Sequence, residues 1–322
     1  MPPMALVRLD HRPVRAFAVR AQRTLLAWID TSATANAGAG GDIDWLRVAP
    51  FLALHAGCLA VLWVGSSLTA VIVAVALYAA RMFAITGFYH RYFSHRAFRA
   101  SRSAQLAFAV MGASAVQRGP LWWASHHRHH HAHADTGCDA HSPRHAGALW
   151  AHCGWFLARD NFATRSEWVR DLAAFPELRF LDRYDALVPA ALAVGLYLAG
   201  EWLAVAHPAL QTTGAMLVVW GFCISTVALY HATFLVNSLA HTFGSRRYAR
   251  RDTSRNNLWL ALVTFGEGWH NNHHHFPGSA RQGFYWWEVD VTYYLLRLLA
   301  ALRVIRDLRR VPAAIRDAQR PR

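Results

Sequence analysis

The apolar residues of this chain are concentrated in four long runs, which cover 48–67, 68–89, 186–207 and 212–236. Each run is long enough to cross a bilayer as a helix, which takes roughly 20 residues at a rise of 1.5 Å each. The first two runs adjoin each other, and four residues separate the last two. The pattern therefore predicts two helical hairpins in a membrane.

A fifth apolar run, 104–116, has only about 13 residues, a length that favours an interfacial or buried helix over a fifth span. Hydrophobic residues make up 54% of the 322 residues, which excludes a disordered chain. The four cysteines include no CxxC pair, which excludes a disulfide scaffold and a cysteine-based zinc module. We divide the chain into an N-terminal arm and linker (1–44), a main domain (45–300) and a short basic tail (301–322).

The positive charge follows the predicted topology. All 33 basic residues are arginine: six lie in 1–47, twelve in 90–185, fourteen in 237–322, and the last is Arg81 inside the second run. The hairpin tips carry none, so the positive-inside rule places both termini and the middle segment in the cytoplasm. This distribution explains the net charge of +14 without a nucleic-acid partner. Arg81 itself must snorkel to the interface or pair with a polar group.

The first 29 residues are rich in arginine and weakly amphipathic, and they lack the apolar core of a secretory signal. We favour an interfacial helix over an organelle transit peptide for this segment. Residues 31–41 (TSATANAGAGG) have the composition of a flexible linker.

Seventeen of the 20 histidines fall in 90–152 and 231–275, where their spacing repeats. We call the three groups of closely spaced histidines boxes one, two and three, in chain order. Boxes two and three share the pattern His-x-x-His-His, and on a helix these three positions lie on one face. Box one has a spacing of five, so its histidines converge only if the helix ends or unwinds between them. The boxes comprise His90 and His95; His127, His130 and His131; His270, His273 and His274; and the pair Asn237 and His241.

These nine histidines exceed what one octahedral ion can bind, but they suit two ions with four or five nitrogens each. Asn237 would fill one further place through a water. Imidazole ligands suit Zn, Cu, Fe or Ni, so the spacing alone leaves the metal open. Metal-bound histidines need oriented N–H groups, and Glu267, Asp135 and Asp139 are the candidate partners. Two alternatives stay open. Box two could be a histidine-rich tract that binds metals without specificity or is simply solvated, and Asp135 and Asp139 could only cap a turn.

The motifs GFYHRYFSHRAF, HRHHH, NSLAH and EGWHNNHHHFP resemble those of the membrane-bound fatty-acyl desaturases, most closely the Δ9 type and its bacterial relatives. The similarity runs from about residue 45 to 300. It implies an all-α integral membrane protein with four transmembrane helices and a cytosolic helical cap that holds a histidine-rich di-iron site. It also implies that the nine histidines are iron ligands and that Asn237 holds a water.

The resemblance further implies an acyl channel lined by Gln117, Trp123 and Trp269, to which we add Trp122. Head-group candidates near its mouth are the basic residues Arg96, Arg99 and Arg118. The animal acyl-CoA enzymes have an Arg-Asp pair where this chain has Ser125 and His126. Acyl-CoA, lipid-linked and carrier-linked substrates therefore all stay open.

An unactivated methylene has no acidic proton, so the reaction needs a metal-based oxidant. We expect two ferrous ions, O2 as co-substrate, stepwise removal of two hydrogen atoms and a cis double bond. Electrons would come from a separate ferredoxin, rubredoxin or b-type cytochrome with its reductase, at a bacterial inner membrane. The rival interpretations are a related lipid hydroxylase and, more remotely, a metal transporter, which would need ligands near the midplane of the spans.

Overall fold

The computed structural model describes residues 28–34 and 42–318, together with positions 19, 22, 25 and 26. Most of the predicted N-terminal interfacial helix and residues 35–41 of the predicted linker lie outside the described residues. The described part of the chain is mostly helical.

Four helices are long and apolar enough to cross a membrane, as the sequence predicts. They are span 1 (Arg47–Val64), span 2 (Leu68–Ser94), span 3 (Leu187–Ala206) and span 4 (Gly214–His241). Spans 1, 2 and 3 all pack against span 4, which is therefore the central helix of the four.

Three of the four spans are not uniform α-helices. Span 2 changes to a π-helix over its last eleven residues, and a π segment also interrupts span 4. Such π segments have i→i+5 hydrogen bonds and often occur at functional sites. The segments are Trp45–Cys58 and Val61–Val64 in span 1; Leu68–Phe83 and Ala84–Ser94 in span 2; and Gly214–Leu217, Val218–Ile224, Ser225–Ser238 and Leu239–His241 in span 4.

Shorter helices form the rest of the domain. The longer ones are α1 (Arg102–Ala113), α2 (Pro120–His133), α3 (Pro176–Arg183), α4 (Leu258–Val263), α5 (His270–His275) and α6 (Val291–Ala301). Single helical turns lie at Thr31–Thr34, Pro143–Ala146, Trp150–Gly154, Trp155–Leu157, Arg159–Asn161, Ser166–Trp168, Arg170–Ala173, Pro208–Leu210 and Ala313–Arg316.

One feature departs from the all-helical prediction. Strand β1 (Arg99–Ala100) pairs antiparallel with strand β2 (Ile305–Arg306). The predicted tail therefore contacts the main domain, and the Arg309 N–H also donates to the Ala97 carbonyl at 2.9 Å. Further along, the Tyr248 hydroxyl donates to the Arg316 carbonyl at 2.7 Å.

Helix α1 covers residues 104–113 of the run 104–116 and has twelve residues, too few to cross a bilayer. Its packing depends on Gly112, because a Cβ at that position would lie 2.0 Å from Cε1 of Tyr89. Tyr89 precedes the first histidine of box one. The close approach of α1 thus supports the segment that carries box one.

The sequence left two explanations for Arg81, snorkelling to the interface or pairing with a polar group. In the structure, Arg81 pairs with polar groups inside the helix bundle. Its Nη1 donates to the Thr226 hydroxyl and its Nη2 to the Ser225 hydroxyl, both at 2.7 Å. Nη2 also donates to the Gly221 carbonyl at 3.1 Å. Buried charge of this kind is tolerated in a span only when its donors are satisfied. The guanidinium therefore joins span 2 to span 4.

Candidate metal centre

The π-helical end of span 2 brings the two histidines of box one together. The His95 N–H donates to the His90 carbonyl at 3.2 Å, an i→i+5 bond, and the two imidazole centroids are 5.0 Å apart. His95 follows Ser94, the last residue of the π-helix. As the spacing of five requires, the helix departs from α geometry between the two histidines: the wider π-helix aligns them and ends just before His95.

The nine predicted histidines form two adjacent groups. Within each group the candidate ligand nitrogens lie within 4.8 Å of one another. We call them the five-histidine cluster and the four-histidine cluster. The first comprises His90, His95, His127, His131 and His273, and the second comprises His130, His241, His270 and His274.

Boxes two and three each contribute to both clusters. In α2, His127 and His131 enter the five-histidine cluster, whereas His130 enters the four-histidine cluster. In α5 the division is reversed, since only His273 joins the five-histidine cluster. The sequence predicted that each box points at one locus. The structure instead places α2 and α5 so that each His-x-x-His-His motif bridges two loci.

In both clusters the Nε2 atoms converge. The Nε2–Nε2 distance is 2.8 Å between His95 and His127 and 3.0 Å between His90 and His273. In the four-histidine cluster, the Nε2 atoms of His241 and His270 are 3.0 Å apart.

These contacts cannot all be hydrogen bonds, because a neutral imidazole has one N–H. Nε2 of His273 faces the Nε2 atoms of both His90 and His131, the latter at 2.9 Å. Nε2 of His274 is buried without a hydrogen-bond partner. Lone pairs that converge on a buried point suit a cation, so the residues fit a pair of imidazole-bound metal ions.

Carboxylates contact the outer nitrogens of four cluster histidines. All three predicted carboxylates occupy such positions: Glu267 lies 2.5 Å from Nδ1 of His90, Asp139 3.0 Å from Nδ1 of His130, and Asp135 3.3 Å from Nδ1 of His241. The Asp135 N–H also donates to Asp139 at 2.9 Å, so these residues stabilise their turn as well. The fourth carboxylate is Asp252, 3.4 Å from Nδ1 of His274. It lies in no motif, and the sequence contains no local signal for it.

The Glu267 carboxylate is itself held in place. Arg91 donates from Nη2 to Glu267 at 3.1 Å and from Nη1 to Asp290 at 2.9 Å. The Gln282 amide donates to the other Glu267 oxygen at 3.0 Å. Because this network is buried, it fixes the ring orientation of His90.

Burial favours the neutral form, which is the form that binds metals, in six of the nine cluster imidazoles. It lowers the pKa of His127, His131 and His273 well below the ordinary value. It lowers the pKa of His274 to about 4, although Asp252 opposes the shift. Burial also acts to lower the pKa of His130, but the nearby Asp139 carboxylate outweighs it and raises that pKa. Deprotonated imidazoles carry a free lone pair near neutral pH.

An apolar cavity of about 560 Å³ reaches the five-histidine cluster at His127. Of the channel candidates, Gln117, Trp122 and Trp123 line this cavity and Trp269 does not; Asn237 is a further lining residue. The Trp269 N–H donates instead to the Val289 carbonyl at 2.8 Å.

Thr233 is a lining residue that the sequence analysis missed. It accepts a hydrogen bond from the Gln117 amide at 2.9 Å, and the Gln117 oxygen accepts one from the Trp123 indole at 3.4 Å. The Trp123 ring stacks on His127 with centroids 5.0 Å apart. These side chains form a rigid wall beside the cluster.

Only one of the three head-group candidates lines this cavity. Arg118 does so, and it is paired with Asp185 at 2.7 Å. Arg96 pairs with Asp171 at 2.7 Å and Arg99 lies 3.5 Å from Asp307. Neither Arg96 nor Arg99 is among the residues that line the cavity. Arg47, which the sequence analysis missed, is a second basic lining residue.

The histidines beside the boxes make other contacts. Nε2 of His126 is 3.1 Å from the Ala163 carbonyl, His129 stacks on His133, and Nε2 of His275 is 2.9 Å from the Ile315 carbonyl. His141 was not among the candidates from the sequence. It is buried, its Nδ1 lies 3.5 Å from the Asp139 carboxylate, and its ring stacks on Trp155.

The family model for fatty acid desaturases matches residues 66–310. The chain is 38% identical over 264 residues to an sn-1 stearoyl-lipid 9-desaturase of Anabaena variabilis, covering 81% of this chain and 92% of that protein. It is 39% identical over 219 residues to an sn-2 palmitoyl-lipid 9-desaturase of Nostoc sp. (strain 36), covering 66% and 72%. It is also 38% identical over 229 residues to an icosanoyl-CoA 5-desaturase of Limnanthes douglasii, covering 70% and 60%.

Proposed function

The chain belongs to the fatty acid desaturase family, and we propose that it introduces a cis double bond at the Δ9 position of a saturated fatty acyl chain. It is an oxidoreductase that acts on fatty acyl chains. The observation that carries the proposal is that two adjacent histidine clusters stand beside an apolar cavity, which reaches the five-histidine cluster at His127. This arrangement is suited to a long hydrocarbon and a metal-based oxidant.

The reaction removes one hydrogen atom from each of two adjacent carbons. Together with O2, two electrons and two protons, it yields the double bond and two molecules of water. Two iron ions held by the five-histidine and four-histidine clusters would supply the one-electron oxidation that no side chain can perform. Asn237, which lines the cavity and lies one turn before His241, would hold a water at the second ion.

The protein's own residues would position the substrate. Trp123, Gln117 and Thr233 are hydrogen-bonded to one another, so they form a wall of fixed shape beside His127. A chain pressed against this wall presents one C–C bond to the centre. The apolar lining also excludes water from the reacting carbons.

We further propose the topology that the arginine distribution predicts. The spans form two hairpins, and both termini and the histidine clusters face the cytoplasm of a bacterial inner membrane. Helices α1 to α6 form a cap over the clusters. A separate ferredoxin, rubredoxin or b-type cytochrome with its reductase delivers the electrons to this side.

The test is expression in a host with a compatible reductase, followed by gas chromatography of its fatty acids. A new monounsaturated acid supports the proposal, and its double-bond position tests the Δ9 assignment. The variants His127→Ala and His273→Ala should abolish the product while the protein stays in the membrane fraction. A hydroxylated acid would favour the related hydroxylase, and no product from an iron-loaded protein would overturn the proposal.

A further inference from the structure

The cavity is bounded by two spans that both pack on span 4. Its wall includes Phe51 and Leu54 of span 1, Pro189 of span 3 and Cys223 of span 4. The cavity therefore extends into the depth of the membrane between spans 1 and 3. Its lining is mostly apolar there, as a hydrocarbon chain requires.

The cavity opens sideways, towards the lipid. Pro50 and Ala53 of span 1 line it, and both are exposed. A residue that both lines a cavity and faces the surroundings stands at an opening. Because these positions belong to a membrane span, the opening faces acyl chains of the bilayer.

A guanidinium stands at the polar end of this opening. Arg47 is the first residue of span 1, the depth at which lipid head groups and ester bonds lie. It lines the cavity beside Phe162, whose ring centroid is 5.7 Å from its Cζ. Its Nη1 is buried without a hydrogen-bond partner. A buried donor of this kind needs an acceptor, which a ligand oxygen in the cavity can supply.

The charge at the opening decides between substrates. Arg118, the other basic side chain lining the described part of the cavity, is paired with Asp185 at 2.7 Å. One unpaired donor suits a single ester or phosphate oxygen. The several phosphates of coenzyme A would require a larger set of cations.

We propose that the substrate is an acyl chain of a membrane glycerolipid, which enters from the bilayer between spans 1 and 3, with Arg47 donating to an ester or phosphate oxygen. This inference rests on the proposed function and specifies the carrier of its substrate. The chain slides past Ala53 into the cavity, while its head group stays at the membrane surface. No release into water is needed at any stage.

Two substitutions test the entrance in the full-length protein in lipid nanodiscs. Arg47→Gln should reduce desaturation of distearoyl glycerolipids about tenfold or more, because it removes a charged hydrogen bond. Ala53→Trp should reduce it similarly by filling the opening. The matched controls are Arg99→Gln, in an exposed ion pair away from the cavity, and Ala56→Trp, an exposed position of span 1 that does not line it.

The head group is varied to identify the bound oxygen. If Arg47→Gln impairs turnover of both a phosphatidylglycerol and a galactolipid, the ester oxygen is bound; an effect on the phospholipid alone identifies the phosphate. Equal activities of the two variants and their controls would overturn the inference. So would stearoyl-CoA turnover, in discs of non-substrate ether lipid, that exceeds glycerolipid turnover.

Lipid retention, measured by native mass spectrometry of the purified protein, separates this inference from the function itself. Wild-type protein should retain glycerolipid that Arg47→Gln loses. Retention with no desaturation of any acyl substrate would overturn the proposed function and leave the entrance standing. Desaturation with no difference in retention would overturn the entrance alone.

Discussion

The Asp252 carboxylate lies 3.4 Å from Nδ1 of His274, and both side chains are buried. An acceptor at this position holds the proton on Nδ1, which leaves the Nε2 lone pair directed into the four-histidine cluster. The other Asp252 oxygen accepts a hydrogen bond from the Ser254 N–H at 3.1 Å. Asp252 is therefore fixed on one side by the backbone and orients a metal-ligand candidate on the other.

Asp252→Asn should weaken metal binding at the four-histidine cluster by about 10- to 100-fold. The amide would place an N–H against Nδ1 and favour the wrong imidazole tautomer, while the fold keeps a side chain of equal size. On the proposed di-iron function, iron per chain, measured by plasma mass spectrometry across a chelator series, should fall from two towards one. Asp307→Asn, at an exposed aspartate beside Arg99, is the control. Identical metal retention in the two variants would contradict this role.

The four spans could be predicted because about 20 consecutive apolar residues are by themselves enough to indicate a helix that crosses a bilayer. The histidine partners could be predicted only in part. Box spacing shows that three rings share a helix face, but the division of His130 from His127 depends on how α2 crosses α5, which is a tertiary relationship. Asp252 and His274 are far apart in sequence, so only the tertiary fold shows that they are in contact. Arg96 follows box one directly and is basic, but its ion pair with Asp171 and its absence from the cavity lining depend on tertiary contacts that the sequence does not show.

Asp182 should make the stability of the protein depend on pH. Burial raises the pKa of Asp182 to about 6 from an ordinary value of 3.8, against hydrogen bonds from the Trp122 N–H and the Thr164 hydroxyl. The folded state thus binds this proton more tightly than the unfolded state. Its contribution is complete below about pH 4 and is lost as the pH rises through 6, on the order of 3 kcal/mol in all.

Asp182→Asn should remove this decrease of stability with rising pH, because the amide oxygen still accepts from Trp122 and no charge is buried at high pH. The measurement is the unfolding temperature in detergent from pH 4 to 7, taken as the difference between variant and wild type so that other titrating groups cancel. Asp171→Asn is the control, since hydrogen bonds from Arg128 and Arg96, opposed by burial, lower the pKa of Asp171 to about 2. An unchanged slope in Asp182→Asn would refute the assignment.

Gly112→Ala should destabilise the protein by about 1–3 kcal/mol, the usual effect of overpacking. The added methyl group meets the Tyr89 ring, which cannot retreat because it is fully buried. Since Tyr89 precedes His90, iron content should fall together with the unfolding temperature. Gly195→Ala in span 3 meets nothing within 4 Å and should be neutral or slightly stabilising. Equal unfolding temperatures for the two variants would show that α1 packs differently.

The length of the cavity should limit the length of the acyl chain. Cys223 lines the cavity, and it precedes Asn237 on span 4 by fourteen residues, about 21 Å along a helix axis. Cys223→Phe fills this distant end, so it should shift the products towards acids about two or more carbons shorter than those of the wild type, without loss of iron. Chain-length profiles from gas chromatography measure the shift. Cys58→Phe, on span 1 but not lining the cavity, should leave the profile unchanged. An unchanged chain-length profile in Cys223→Phe would show that the methyl end of the substrate lies elsewhere.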